Sequence, residues 1–250
     1  EGFEVSPRMA ASIASAPGLD AFPAARAYFF EDGAPLAAGR LLRNPDYARA
    51  LEALRDAGAE AFYTGPQAQA LLAALEGAAN ASPMTAQDLA DYRVVKRAPV
   101  CVSYRAWEVC GMGPPSSGGL TVGQILGMLA HRDLAALGDG PEAWRLVAQA
   151  SAMAFADRGL YMADADFTAM PQGLLNADYL AARAQALDAA APPAAPYAPG
   201  EPPWDHAQLR APDIQAERPG TTHLSVVDAQ GMAVSLTSSI ETGFGSRLMT

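Results

Sequence analysis

A proline-rich stretch near the end of the chain limits the folds that the sequence can adopt. Residues 192–219 hold eight of the chain's 20 prolines, including the pair Pro202-Pro203. Proline lacks a backbone donor and fixes φ, so this stretch cannot form a regular helix or an inner strand. We therefore predict an extended, partly mobile connector over 191–220, which separates a first region, 1–190, from a last region, 221–250.

The first region has mainly helical patterns. The segment 44–58 starts with an Asn-Pro pair suited to a helix start and ends in glycine. The segment 66–77 places its leucines on one face, and residues 85–88 form an approximate capping box. A long helix is predicted over 141–162, where we expect Met153 and Phe155 to belong to the core.

Strand patterns appear in two places. The segment 99–112 alternates like two paired strands, and PPSSGG at 114–119 follows it as a turn before a buried helix. In the last region, THLSVVD and MAVSLTSS are joined by a type I turn over 228–231. The fold class that these patterns predict is α+β, with helices in the majority.

The composition excludes several classes of protein. The chain of 250 residues has 17 Lys and Arg against 27 Asp and Glu, a formal charge of −10. With few cations and no basic run, we exclude a nucleic-acid partner. No apolar stretch approaches the roughly 20 residues that cross a bilayer, so we expect no membrane span. Because the chain begins at Glu1 without a Met or a signal peptide, we expect it to start inside a longer protein, which leaves localisation open.

The two cysteines, Cys101 and Cys110, flank the run VSYRAWEV. A hairpin that turns at Arg105-Ala106 places them opposite each other, so a disulfide is one alternative in an oxidising compartment. We favour the other alternative, two small buried hydrophobic side chains. The histidines are scattered along the chain: His131, His206 and His223. Without partners at ligand spacing they predict no metal site.

The junction Gly220-Thr221 can carry chemistry, because a hydroxyl residue follows a glycine where the connector meets the hairpin. Glycine permits the distorted backbone that brings a neighbouring hydroxyl to its carbonyl. If Oγ of Thr221 attacks the Gly220 carbonyl, the amide becomes an ester that water hydrolyses, and Thr221 gains a free α-amine. That amine titrates at roughly 7.7–8 and can act as the general base for its own hydroxyl. By spacing alone, however, an ordinary edge threonine at a strand start is the favoured interpretation.

Several segments together resemble the γ-glutamyltransferase family of N-terminal-nucleophile hydrolases. TTHLSVVDAQGMAVSLTSSIETGFGS at 221–246 is similar to the start of the family's small subunit. YRAWEVCGMGPPSSGG at 104–119 and AFADRGLYMADADF at 154–167 are similar to large-subunit segments, and VSPRMAASIA at 5–14 and the turn at 88–92 also fit. The resemblance implies part of an αββα sandwich and a precursor that cuts itself before the threonine.

The resemblance also implies a reaction, the transfer of a γ-glutamyl group from glutathione or a similar amide to water, an amino acid or a peptide. Carried over by position, Thr221 is the cleavage-site residue and the nucleophile, with Gly220 before the cut. Ser239 stands where the family often has a threonine that hydrogen-bonds the amine of the nucleophile. Glu241 stands at the position that contacts the α-amino end of the substrate, where a carboxylate suits an ammonium group. No cofactor is implied.

Other residues of these motifs have structural interpretations. We expect His223 to be a packed or hydrogen-bonded structural residue, and Ser116-Ser117 to form a turn with no base nearby. Asp157-Arg158 and Asp164 or Asp166 are interpreted as scaffold ion pairs.

Arg247 departs from the family pattern, because the chain reads Ser246-Arg247-Leu248 where well-known members have Thr-Gly-Ile. A cation so close to the site could alter the acceptor or acyl pocket. The resemblance places the family's oxyanion-hole glycines after Thr250 and its carboxylate-binding Arg before Glu1. We therefore expect this 250-residue piece to be inactive by itself, with the bond before Thr221 uncut. Export to the periplasm or outside the cell agrees with the family.

Two alternatives to γ-glutamyl transfer stay open. The first is a cephalosporin acylase-like hydrolase of another amide, which Glu241 and Arg247 would help to distinguish. The second is a non-catalytic, unprocessed domain, for which replacing Thr221 by Ala changes nothing. The expected partners are the γ-glutamyl donor, its acceptor and the remainder of the precursor.

Overall fold

The computed structural model describes residues 1–188, 197–204, 210–212 and 220–250. Most of the predicted connector lies outside these residues, and so does His206. The prediction that the connector is mobile therefore concerns residues that the structure does not describe. Contacts divide the chain into two units, one of Glu1–Val94 with Ala216–Thr250 and one of Val95–Gln215. The boundaries at 190 and 220 mark the two ends of the predicted proline-rich connector, and they stay a prediction.

The described residues form ten α-helices and eight strands, and four antiparallel strand pairs. The helices are α1 Pro7–Ser15, α2 Pro23–Phe29, α3 Pro45–Ala57, α4 Ala59–Thr64, α5 Pro66–Glu76, α6 Ala86–Asp91, α7 Gly118–Leu129, α8 Leu134–Leu137, α9 Pro141–Tyr161 and α10 Ala177–Gln185. The strands are β1 Phe3–Glu4, β2 Phe30–Glu31, β3 Ala34–Pro35, β4 Leu41–Leu42, β5 Val100–Tyr104, β6 Trp107–Gly111, β7 Thr221–Val227 and β8 Ala233–Ser239. The α+β class with a majority of helices is thus confirmed. None of the described helices has the length and apolarity needed to cross a membrane.

The helix boundaries follow the signals in the sequence. The Asn44 side chain accepts a hydrogen bond from the Tyr47 amide at 2.8 Å, and Gly58, whose φ is +70°, caps the C-terminal end of α3. At α6 the Thr85 hydroxyl accepts from the Asp88 amide while the Asp88 carboxylate accepts from the Thr85 amide. Both arrangements satisfy backbone donors that a helix start leaves unpaired, and both predictions are confirmed.

The first unit contains the hairpin of β7 and β8 and a small apolar core. Ile13, Leu19 and Ala25 are fully buried in that core. Phe29 meets Phe244, which follows the hairpin, edge to face at 5.3 Å between ring centroids. The hairpin's far end closes with a hydrogen bond from the Gly231 amide to the Asp228 carbonyl at 3.1 Å, as the type I turn predicts.

The second unit packs α7, α9 and α10 around one apolar core, which includes Met128, Leu146 and Leu180. Met153 lies in this core with 2% of its surface exposed, but the prediction that Phe155 is also buried is wrong, since it is 49% exposed. Two residues along a helix turn the side chain to a different face. Phe155 lies on the outer face, where the Arg158 guanidinium lies over its ring at 5.6 Å.

The hairpin of β5 and β6 corrects the favoured interpretation of the two cysteines. Cys101 and Cys110 are both exposed and are joined by a disulfide, so they are not buried hydrophobic side chains. The register pairs them directly across the two strands, as the predicted turn at 105–106 requires. Glu108 lies near both sulfurs, but a disulfide offers no thiolate to a metal ion.

The PPSSGG segment turns into α7 as predicted. A Cβ at Gly119 would lie 2.6 Å from the Met112 carbonyl oxygen, so the glycine is needed for the close approach of the two backbones. Ser117 accepts a hydrogen bond from Arg158 Nε at 3.0 Å, which gives this serine a structural partner rather than a base.

The predicted scaffold ion pairs exist with partners from elsewhere in the chain. Asp166 pairs with Arg97, and Asp164 lies 3.8 Å from the same guanidinium. Asp157, which is 1% exposed, pairs with Arg183 at 3.0 Å.

Candidate functional site

The predicted nucleophile lies at the first pair of the β7–β8 hairpin. Thr221 is the first residue of β7, and the register places it opposite Ser239, the last residue of β8. The Thr221 hydroxyl donates a hydrogen bond to the Ser239 hydroxyl at 2.9 Å. Directly opposite residues share one face of a ribbon, so strand pairing brings together two hydroxyls that are 18 residues apart in sequence.

Gly220 is held by a hydrogen bond at its carbonyl and by the close approach of neighbouring backbone at its Cα. Its carbonyl oxygen accepts from the Ile240 amide at 3.2 Å, which extends the strand ladder by one pair. A Cβ on Gly220 would lie 2.5 Å from the Glu241 carbonyl carbon and 2.6 Å from the Thr242 nitrogen. Real Cβ atoms do not approach so closely, so glycine is required for the backbone to pass here. The Ile240 amide is a donor placed where negative charge would develop if the Gly220 carbonyl were attacked.

Glu241 follows the hairpin in a left-handed conformation, with φ of +70°. Its amide donates to the Ser239 hydroxyl at 3.1 Å, so this hydroxyl accepts from both Thr221 and Glu241. The Ser239 proton therefore remains available for a third partner. The Glu241 side chain is exposed. The structure thus brings all four predicted site residues, including Gly220, to one end of the hairpin.

The hairpin face that carries the Thr221 and Ser239 hydroxyls also carries a second cluster of polar side chains, centred on His223. Its Nδ1 lies 2.8 Å from the Thr237 hydroxyl, and its Nε2 lies 3.2 Å from Ser225 and 3.1 Å from Ser235. Both ring nitrogens are thus occupied by hydroxyl groups. This agrees with the interpretation of His223 as a hydrogen-bonded structural residue rather than a base for Thr221.

The opposite face of the hairpin is apolar and open to solvent in the described residues. Beyond the pair Thr222 and Ser238 at its end, this face carries four apolar side chains that are 43–55% exposed: Leu224, Val226, Val234 and Leu236. A ribbon of two strands cannot bury both faces by itself.

A cleft of about 470 Å³ lies beside the Gly220-Thr221 peptide. Its lining residues come from α1 and from the end of the hairpin: Arg8, Ser12, Gly220, Thr221, Thr222, Ser238, Ile240 and Gly243. Thr222 and Ser238 pair on the face opposite to the Thr221 hydroxyl, so this pair lines the cleft from the other face of the hairpin. No sequence pattern indicated a role for Arg8 or for the Ile240 amide. Arg8 lies within a segment used only for resemblance, and a backbone donor has no side-chain signal.

Arg247 lines a neighbouring cleft of about 360 Å³, which shares Ser12 and Gly243 with the first. Its guanidinium lies over the Phe22 ring at 5.9 Å, and its φ is +64°. The structure therefore places the Arg247 cation beside the cleft that contains Thr221 rather than among its lining residues. An influence of this cation on the acyl or acceptor pocket stays a prediction.

Comparisons with known proteins show the family to which the chain belongs. A family model described as gamma-glutamyltranspeptidase matches residues 1–250. The glutathione hydrolase proenzyme of Escherichia coli (strain K12) is 36% identical over 228 residues, which cover 90% of this chain and 37% of that protein. The acylase ACY 1 proenzyme of Pseudomonas sp. (strain V22) is 35% identical over 252 residues, 100% of this chain and 42% of that protein.

A solved structure supports the same assignment. The gamma-glutamyltranspeptidase of Helicobacter pylori matches with a TM-score of 0.68 and 32% sequence identity, over 74% of this chain and 54% of that chain. The chain therefore carries part of the N-terminal-nucleophile hydrolase fold, and it spans about two-fifths of the length of the two curated relatives. With a family model that matches every residue, this chain belongs to the gamma-glutamyltranspeptidase family.

Proposed function

We propose that the full-length protein cuts itself between Gly220 and Thr221 and then hydrolyses or transfers the γ-glutamyl group of glutathione and related amides. The observation that carries the proposal is the hydrogen bond of 2.9 Å between the Thr221 and Ser239 hydroxyls, next to a glycine that tolerates no Cβ. The relatives support it, because they include proenzymes named glutathione hydrolase.

In the first reaction Thr221 Oγ attacks the Gly220 carbonyl carbon. The carbon–nitrogen bond breaks as the ester bond forms, and the hydroxyl proton ends on the Thr221 nitrogen. The Ile240 amide, 3.2 Å from the Gly220 oxygen, stabilises the charge on that oxygen during attack. Water then hydrolyses the ester, which leaves a Gly220 carboxylate and a Thr221 α-amine with a free hydroxyl.

In the second reaction that α-amine takes the proton of the Thr221 hydroxyl as the oxygen attacks the γ-carbonyl of the donor. An N-terminal amine titrates at roughly 7.7–8, close enough to neutral pH for this task. The Ser239 hydroxyl already accepts hydrogen bonds from the Thr221 side chain and the Glu241 amide. Its own proton is therefore free to be donated to a neighbouring hydrogen-bond acceptor. The leaving amine takes the proton. Water or an acceptor amine then attacks the ester carbonyl, the bond from the carbonyl carbon to Thr221 Oγ breaks, and the proton of the attacking group restores the Thr221 hydroxyl.

Glu241 is proposed to bind the α-ammonium group of the donor. Its side chain is exposed and directly follows Ile240, whose amide contacts the Gly220 carbonyl. A carboxylate forms a strong charge-assisted hydrogen bond with an ammonium group. Replacing Glu241 by Gln should raise KM for glutathione more than it lowers kcat, because the interaction exists before and during the reaction.

The test uses the full-length protein with glutathione and measures released glutamate, for wild type and for Thr221→Ala and Thr221→Ser. Thr221→Ala should abolish both self-cleavage and turnover, and Thr221→Ser, which keeps a hydroxyl, should retain part of both. A Thr221→Ala protein that turns over glutathione as the wild type does would exclude the proposal and leave the non-catalytic alternative.

A second candidate function is hydrolysis of another amide, favoured by the acylase proenzyme that is 35% identical over 100% of this chain. The same nucleophile serves both reactions, so the deciding assay compares glutathione with a glutaryl amide on the full-length wild type. Faster turnover of the glutaryl amide, which has no α-ammonium group for Glu241, would favour the acylase function.

A further inference from the structure

Three clefts adjoin one another between α1 and the end of the β7–β8 hairpin, all of them inside the first unit. One, of about 470 Å³, lies beside the Gly220-Thr221 peptide, and another, of about 360 Å³, lies beside Arg247. The third, also of about 470 Å³, has mainly apolar walls, which include Met9, Phe29, Phe244 and Met249. Ser12 of α1 lines all three clefts, so they form one branched groove, which we name the α1 groove.

The charged side chains of the α1 groove are cationic. Arg8 lines both the cleft beside Thr221 and the apolar cleft, and Arg247 lines the remaining one. Among the described residues that line the three clefts there is no Asp or Glu, although the chain as a whole has a formal charge of −10. A cleft lined by charges of one sign concentrates ligands of the opposite sign. The groove therefore favours an anion.

Arg8 has a fixed backbone and an unoccupied guanidinium. At the start of α1, the Ser6 side chain accepts a hydrogen bond from the Met9 amide at 3.1 Å, and the Ser12 hydroxyl donates to the Arg8 carbonyl at 2.9 Å. The Arg8 side chain is exposed, and its guanidinium makes no hydrogen bond or ion pair with any described residue. A guanidinium presents its donors as a planar fork that matches the two oxygens of a carboxylate. Arg8 is therefore suited to bind a carboxylate in the groove.

The proposed mechanism puts the leaving amine on the same side of Thr221 as this groove. The leaving amine takes its proton from the Thr221 α-ammonium, so its nitrogen must come within about 2.6–3.2 Å of the Thr221 nitrogen. In the uncut chain that nitrogen belongs to the Gly220-Thr221 peptide, and both of these residues line the cleft that Arg8 also lines. An acceptor amine attacks by the reverse route and occupies the same place. The remainder of either amine therefore lies next to the α1 groove.

We propose that the α1 groove binds the part of the substrate on the nitrogen side of the γ-amide, and that Arg8 binds the terminal carboxylate of that part. The inference rests on the proposed function and names the class of leaving group and acceptor, which is an amino acid or short peptide with a free carboxylate. The cysteinylglycine half of glutathione has such a carboxylate, and its small side chain suits the apolar cleft beside Met9 and Phe29. A cleft of about 470 Å³ is in the size range of small-molecule sites. Arg8 is then a specificity-determining residue.

The experiment compares glutathione with its C-terminal amide, because these two donors differ only in the terminal carboxylate. Glutamate release gives kcat/KM for the full-length wild type, Arg8→Gln and Arg26→Gln. Arg26→Gln is the matched control, since it removes the same charge from the first unit and Arg26 is not among the lining residues of the α1 groove. We expect the wild type to prefer glutathione on the order of tenfold, the effect of one charge-assisted hydrogen bond. Arg8→Gln should lose this preference, and Arg26→Gln should keep it.

The preference between the two donors separates carboxylate binding from a structural role of Arg8. A structural role would lower kcat/KM for both donors equally, and an Arg8→Gln protein that keeps the wild-type preference overturns the proposal. A wild type that turns over both donors equally also overturns it, and this comparison needs no variant to fold. A wild type that releases glutamate from neither donor refutes the proposed function itself, so the two failures can be told apart.

Discussion

Replacing Gly220 by Ala should slow self-cleavage without unfolding the protein. The added Cβ would lie 2.5 Å from the Glu241 carbonyl carbon and 2.6 Å from the Thr242 nitrogen, whereas ordinary contact begins at 3.4 Å. Backbone atoms must therefore move by most of an ångström. Overpacking of this kind costs about 1–3 kcal/mol. If the cost is relieved by opening the end of the hairpin, the population ready to react falls by about fivefold to 150-fold.

The assay is the rate at which full-length precursor converts into two subunits on a denaturing gel. Gly243→Ala is the matched control in the same loop, because nothing lies within 4 Å of its added Cβ, and it should cut as the wild type does. Thermal melting of both variants reports whether the fold is kept. Conversion of Gly220→Ala at the wild-type rate would refute the argument that this position must be free of a side chain.

Three further predictions concern stability. Hydrogen bonds from the Thr85 hydroxyl and amide lower the pKa of Asp88. The contribution of this carboxylate to stability therefore exists at neutral pH and disappears as the pH falls through the pKa of the folded state. A titration of the Asp88 carboxyl by NMR should give a midpoint below about 3.9. Replacing Cys101 and Cys110 by Ser removes a cross-link with a sequence separation of 9. This should lower the free energy of unfolding, measured by urea denaturation, by about 3 kcal/mol. An unchanged free energy of unfolding would contradict a stabilising role of the disulfide. Asp157→Ala leaves Arg183 buried without its ion pair and should cost about 3–5 kcal/mol by the same method, whereas a loss below about 1 kcal/mol would contradict a stabilising role of this ion pair.

Local signals in the sequence were enough to predict the elements that carry the site. The capping box at 85–88 and the Asn-Pro start at 44–45 define helix ends through contacts within four residues, and both are present. The turn at 228–231 was predicted, but a plain two-residue turn would place Thr221 opposite Ser238. Gly231, with φ of +84°, adds one residue to the loop, so Asp228 pairs with Met232 and Thr221 lies opposite Ser239. Patterns of short range succeed because the interactions that they describe are of short range.

The features that the sequence did not reveal depend on contacts between distant residues. The hydrogen bond from the Gly200 amide to the Asp157 carboxylate joins positions 43 residues apart, and composition gives only the prolines and glycines of an extended segment. Phe155 was misplaced because a helix rich in alanine leaves the inward face poorly marked. The predicted hairpin already placed Cys101 opposite Cys110, but whether two paired cysteines are oxidised depends on the compartment, which the sequence left open. Arg8 reaches the cleft through the packing of α1 near the hairpin.

The most direct measurement is the intact mass and N-terminal sequence of the subunits that form from purified full-length precursor. If the Thr221 hydroxyl cuts its own chain, the smaller product must begin at Thr221 with a free amine, and the Thr221→Ala precursor must stay in one piece. A product that begins at another residue, or a Thr221→Ala protein cut at the same place, would contradict the account.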